Sequence, residues 1–407
     1  MTASVNSADR SSISMGFVGQ IGVATFCRIL INTARRFAYP FAPVISRGLG
    51  VSLTATTTLI AVNQATGILG VLFGPLSDRF GYRLMMLTGL AMVVVGMISG
   101  GALPVYAMVL AALFMAGLGK NIFDPALQAY VGRRVPYQHR GLAVGLLEFS
   151  WAGSSLIGIP LIGILIGHLG WRAPFFALGG LGLLGLGLLW RVLPADRPSV
   201  GAVLRSKGGL LKSWRFLATQ RQALGAFGFA FFVSAANDNL FVVYGAWMET
   251  DFGLGVVALG ASTTVIGIAE FAGEALTAAL ADRLGLKRAV LIGLVCCAVS
   301  YAVLPLFGLT LSAALTGLFL VFLTFEFSIV SALSLCTELV PEARATTMSG
   351  FLAMAGIGRF FGALMGGPLY GWGGMGAIGA ASALLVMGAL ASILWGLHGW
   401  QRPEPAI

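Results

Sequence analysis

Polar and apolar positions fall along this chain in long blocks. Twelve apolar runs stand out, at roughly 16–45, 52–73, 84–103, 105–131, 142–167, 173–194, 223–247, 256–279, 289–307, 309–335, 346–368 and 375–398. A helix needs about 20 mostly apolar residues to cross a bilayer, and each run is close to that length. The longest polar interruption, Pro194–Arg221, lies at the middle of the chain and carries Arg197, Arg205, Lys207, Lys212, Arg215 and Arg221. The pattern predicts an all-α membrane protein of about twelve spanning helices. An N-terminal six-helix bundle is expected over 1–194, a linker over 195–222 and a C-terminal six-helix bundle over 223–407.

The polar blocks repeat. Gly74–Arg83 reads GPLSDRFGYR, and Ala278–Arg288 reads AALADRLGLKR, half a chain further on. Val135-Pro136 with Arg140 and Val340-Pro341 with Arg344 are spaced in nearly the same way. Two independent anchors at one offset predict two homologous halves, a pattern that in a hydrophobic chain points to a transporter.

Composition agrees. Hydrophobic residues make up 57% of the chain and charged residues 10%, against about 25% charged in soluble domains. The 57 glycines suit helices that approach closely in lipid. The formal charge of +10 does not indicate a nucleic-acid partner, because the basic residues fall mostly in the short loops. Arg79, Arg83, Arg133, Arg134, Arg140, the linker, Arg283, Lys287, Arg288 and Arg344 share one side, whereas the opposite loops carry only Arg47, Arg172, Glu249 and Asp251. The positive-inside rule then makes both termini and the linker cytoplasmic, as expected for a multi-pass protein of the bacterial inner membrane. The polar first fourteen residues do not resemble a cleaved leader. Cys27, Cys296, Cys297 and Cys336 sit within apolar runs without ligand spacing, and read as buried small residues. No phosphate-binding loop, nucleophile elbow or zinc motif is present, so neither an enzyme nor a cofactor or metal is expected.

The Gly74–Arg83 block resembles the loop motif of the major facilitator superfamily almost position for position, through Gly74, Leu76, Asp78, Arg79, Gly81 and Arg83. The second copy, with Asp282 and Arg283, departs at Ala278, where glycine is usual. Gly158-Ile159-Pro160-Leu161-Ile162-Gly163 resembles a worn form of the glycine-proline motif of the drug/sugar:proton antiporter branch, with Ile159 and Ile164 in place of glycines. Leu113 replaces a basic residue usual in the fourth helix. The resemblance implies alternating access in a monomer, with the first, fourth, seventh and tenth helices lining a central cavity. It also implies that Asp78 latches the halves together on the cytoplasmic side.

Ionisable groups inside spanning helices cost several kcal/mol each and usually face a cavity or a partner. Arg28, Asn32 and Arg35 share a face of the first helix, with Arg36 and Tyr39-Pro40 following. Lys120 and Asp124 are four apart in the fourth helix and suited to pairing. The seventh contributes Asn237-Asp238-Asn239 and the tenth Glu326, so a basic wall is expected to face an acidic one. Arg28, Asn32, Arg35, Arg36, Lys120, Asn237 and Asn239 are the expected substrate-binding residues. Snorkelling toward the surface is an alternative for Arg28. Proton coupling needs a carboxylate that takes a proton when desolvated and releases it beside a basic neighbour. Asp238 and Glu326 lead as carriers, followed by Asp124 and Glu270. Glu270 and Glu274 are placed near the cytoplasmic loop motif, where Arg359 could pair with one of them. The expected function is proton-coupled export of a small anionic or amphiphilic solute. Uptake or facilitated passage of an organic anion is the alternative, and a membrane enzyme or receptor is the remaining class.

Overall fold

The computed structural model describes residues 15–134, 149–194, 210–340 and 344–400. Its helices are α1 (Met15–Arg36), α2 (Ala42–Leu49), α3 (Leu53–Ala65), α4 (Gly70–Phe80), α5 (Tyr82–Ala102), α6 (Tyr106–Arg134), α7 (Phe149–Leu169), α8 (Ala173–Val192), α9 (Leu210–Thr219), α10 (Arg221–Phe252), α11 (Val256–Leu284), α12 (Leu286–Val303), α13 (Leu311–Leu339) and α14 (Arg344–Gly396). Nine helices among the described residues are long and apolar enough to cross a membrane on their own. α14 bends at Gly373 and Gly374, where the backbone leaves helical geometry, and so supplies two crossings. Counting α1 with α2, and α3 with α4, as one broken crossing each brings the number to the twelve expected.

The first run is not one helix. It breaks between Arg36 and Ala42, because Pro40 has no N–H to offer the helical ladder. α7 keeps its course across its own proline but carries a wider, π-type turn over Ser154–Gly158. Within the polar linker, α9 sets Trp214 against Phe227 of α10, ring centroids 6.5 Å apart.

The repeat extends to single backbone angles. Gly81 (φ 91°) ends α4 and Gly285 (φ 81°) ends α11. Gly50 (φ 66°) and Gly253 (φ 65°) close α2 and α10, and Gly170 and Gly374 form a third left-handed pair. Each pair lies half a chain apart. A side chain would be strained at these angles, so both copies of the loop motif keep glycine there.

The halves meet closely at the end where α2 lies. A Cβ on Gly163 of α7 would come within 3.0 Å of the Gly260 Cα of α11, and one on Gly245 of α10 within 2.0 Å of the Pro40 carbonyl oxygen. Arg47 and Glu249 pair there at 2.7 Å, partly in the open. Leu72, Leu184 and Leu384 stay exposed on the outer surface of their helices, as lipid-facing residues should. Cys27, Cys297 and Cys336 are buried as expected, but Cys296 is exposed on the apolar flank of α12.

Candidate functional site

The centre of the molecule is organised around the carboxylate of Glu270 on α11. Arg36, the last residue of α1, donates from Nη2 to Oε1 at 2.6 Å and from Nη1 to Oε2 at 3.3 Å. Trp151 Nε1 of α7 donates to Oε1 at 3.2 Å, and Ser155 Oγ donates to Oε2 at 3.0 Å. All four donors belong to the N-terminal half, so one carboxylate of the C-terminal half is plugged into a socket built by the other. The local chain explains the socket. The break after α1 leaves Arg36 at a helix end, and the widened turn of α7 brings in Ser155, whose carbonyl also accepts from Thr263 of α11 at 3.2 Å. Trp151 stacks beneath the Arg36 guanidinium, 4.3 Å from Cζ to ring centroid, and the Phe241 ring lies 5.5 Å from the same atom. The pair is buried, with 4% and 3% of the two side chains exposed.

A second connection lies at the break itself. The Tyr39 hydroxyl donates to Asp238 of α10 and accepts from Gln64 Nε2 at 2.5 Å. Gln64 in turn accepts from Arg35, whose Nε donates to Asn63 Oδ1 at 3.3 Å. Arg35 therefore turns into its own half, toward α3, and only Arg36 reaches across.

Below these lies a triad within the N-terminal half. Asp124 accepts from Lys120 Nζ at 2.5 Å and from Arg28 Nε at 3.1 Å. Lys120 also donates to Asn32 Oδ1 at 2.6 Å, and Asn32 Nδ2 donates to Ser150. Arg28 is buried against Asp124 and does not snorkel. The N-terminal half thus buries Arg28, Arg35, Arg36 and Lys120 with the carboxylate of Asp124, and the C-terminal half buries Asp238, Glu270 and Glu326.

Several expectations change. Glu270 is not paired with Arg359 near the loop motif but with Arg36, in mid-molecule. Asp238 and Glu326 are not what Arg36 meets. Glu326 is buried on α13, its Cβ 2.7 Å from where a Cβ on Gly273 of α11 would stand. Asn239 turns away from the centre, donating to Ser382 Oγ of α14 at 2.9 Å. Asn237 is half-buried, and its Oδ1 has no hydrogen-bond partner among the described residues. In the loop motif, Arg79 is exposed beside Phe80, and Arg83 donates to the Trp190 carbonyl of its own half and stacks on that ring at 4.8 Å. Arg283 is exposed. Gly74 lies within α4, and the side chains of Asp78 and Asp282 lie outside what the structure describes. Tyr39, Asn63, Gln64, Trp151 and Ser155 are the site residues that sequence reasoning missed. Only the placement of Tyr39 beside Pro40 gave a signal.

Two six-span halves packed around a buried layer of matched charges define a polytopic membrane transporter rather than an enzyme. The chain matches the family model described as Major Facilitator Superfamily over residues 24–363 and 227–406, and it belongs to that family. It is 25% identical over 342 residues to an uncharacterized MFS-type transporter, YceJ, of Bacillus subtilis, covering 84% of this chain and 86% of that one. It is 24% identical over 385 residues to a multi-drug resistance efflux pump PmrA homolog of Lactococcus lactis, covering 91% and 92%. The fold is that of a bacterial homolog of the human lysosomal transporter Spinster, solved in an inward-facing, unoccupied conformation. The TM-score is 0.73 at 15% identity, over 95% of this chain and 96% of the other.

Proposed function

We propose that this chain exports a small organic solute bearing an anionic group in exchange for protons, acting as a monomer in the bacterial cytoplasmic membrane. The observation that carries this reading is Glu270 in its socket. With Glu270 ionised, the four donors hold the halves together and the α2 end stays closed. Opening that end means drawing the carboxylate out. A proton on Glu270 loosens the grip by removing the charge. A solute that offers an anion to Arg36 and a cation or hydrogen-bond donor to Glu270 does so without a proton. Proton and solute are then alternative ways to release one contact, and a protein that turns over with either exchanges them. With both termini cytoplasmic, the proton gradient drives export. The printed name of the Lactococcus relative supports that direction.

The surplus of cations on the N-terminal side supports a second reading. A plain monoanion would satisfy Arg36 but strand Glu270, which would then need the proton, so anion and proton would travel together inward. Proteoliposomes loaded with a pH dye separate the two. Proton flux opposite to solute flux is expected for export, and parallel flux would establish uptake. Solute movement with no proton flux would overturn the coupling.

A further inference from the structure

We infer that the Arg36–Trp151–Ser155 socket is a carboxylate site, which Glu270 fills in this structure and a carboxylate of the solute takes over during transport. The inference rests on the exchange reading above and adds the identity of the anion. Three features carry it.

The donors are matched to two oxygens. Oε1 receives Arg36 Nη2 and Trp151 Nε1, while Oε2 receives Arg36 Nη1 and Ser155 Oγ. A guanidinium fork grips a planar, two-oxygen anion in bidentate fashion. A sulfonate or phosphonate would bring a third oxygen that these donors do not reach, and a buried oxygen without a partner is costly. The walls are aromatic as well. Trp151 and Phe241 lie near the guanidinium at 4.3 and 5.5 Å, and Phe241 stacks on Tyr39, ring centroids 4.4 Å apart. A carboxylate on an apolar or aromatic body fits such a wall better than a small hydrophilic acid does. Charge balance supplies the third feature. Replacing the Glu270 carboxylate by that of the solute leaves the socket's charge unchanged once Glu270 holds a proton or meets a cationic group on the solute.

Equilibrium binding tests this separately from transport. Purified protein in nanodiscs is titrated with benzoate, benzenesulfonate, phenylphosphonate and benzamide, as wild type, Glu270→Gln, and Glu270→Gln with Arg36→Lys. Glu270→Gln, which leaves the socket without its internal carboxylate, is expected to bind benzoate on the order of tenfold more tightly than wild type and than it binds the other three probes. Arg36→Lys is expected to abolish that preference. Should Glu270→Gln fail to fold, calorimetry of the wild type in buffers of differing ionisation enthalpy is expected to show about one proton taken up per benzoate bound, because this plain monoanion, unlike a solute that carries a cation or donor, leaves the displaced Glu270 to be neutralised by a proton. Equal binding of benzenesulfonate would overturn the carboxylate assignment and leave the reading of solute-for-proton exchange standing. A folded Glu270→Gln that binds none of the probes, or wild-type binding without proton uptake, would overturn the assignment too. Proton-coupled flux in liposomes despite that outcome would show that only the anion's identity had failed.

Discussion

Tyr39 and Asp238 are held together across the two halves at the point where the first span breaks. The Tyr39 hydroxyl donates to the Asp238 carboxylate, and its ring stacks on Phe241, one turn further along α10. The break is therefore pinned from the C-terminal half by a polar and an apolar contact at once. Movement of one half relative to the other has to change the geometry of the break.

Tyr39→Phe keeps the ring stack and removes only the hydroxyl. It leaves Asp238 and Gln64 each short of a partner, at a cost of about 1–3 kcal/mol. A lowered melting temperature in detergent is expected, with the fold retained. An unchanged melting temperature would show that the hydroxyl contributes nothing to holding the halves.

The Arg28–Asp124–Lys120 triad predicts an asymmetric response. Asp124→Asn leaves two buried cations without their carboxylate, and removal of one side of a buried ion pair costs about 3–5 kcal/mol. Lys120→Met leaves Asp124 still paired with Arg28 and is expected to cost less. Expression level and thermal stability of the two variants check the order, and equal losses would contradict it.

The loop motif ends α4 at Gly81 in a conformation repeated at Gly285, and the proposed latch residue is Asp78. Asp78→Asn is expected to preserve folding, cut transport and raise labelling of cysteines on the cytoplasmic side. Unchanged transport together with unchanged labelling would make the loop a passive connection.

Orientation is checked at the linker. A cysteine replacing Lys207 is expected to be protected from an impermeant reagent in intact cells and labelled in inverted vesicles. Labelling from outside would reverse the orientation, and with it the side on which the Glu270 socket closes.

The fold was legible because its signals are local. Lipid demands apolar runs of one length, turns demand glycine, and duplication wrote both twice. The charged members of the site were legible by rarity, since Arg36, Glu270 and Asp124 stand out in apolar helices. Their pairing was not legible, because Arg36 and Glu270 are 234 positions apart and their meeting depends on the break at Pro40 and the widened turn in α7. Trp151 and Ser155 carried no signal, because a tryptophan near a span end and a serine inside one are both ordinary. Asn63 and Gln64 gave none for a similar reason. Uncharged polar side chains cost little enough in a helix that their presence does not announce a partner.

The same separation of 234 residues has a consequence for how the protein is made. α1 is synthesised long before α11, and at about 5–20 residues per second Arg36 would wait on the order of tens of seconds for the carboxylate that neutralises it. Throughout that interval a nascent first half holds more buried cations than anions. Its insertion thus depends on whatever shelters the guanidinium meanwhile, be it lipid phosphate, water in the insertion channel or a chaperone. The contact that closes the finished molecule is thus one the growing chain has to do without until α11 is made.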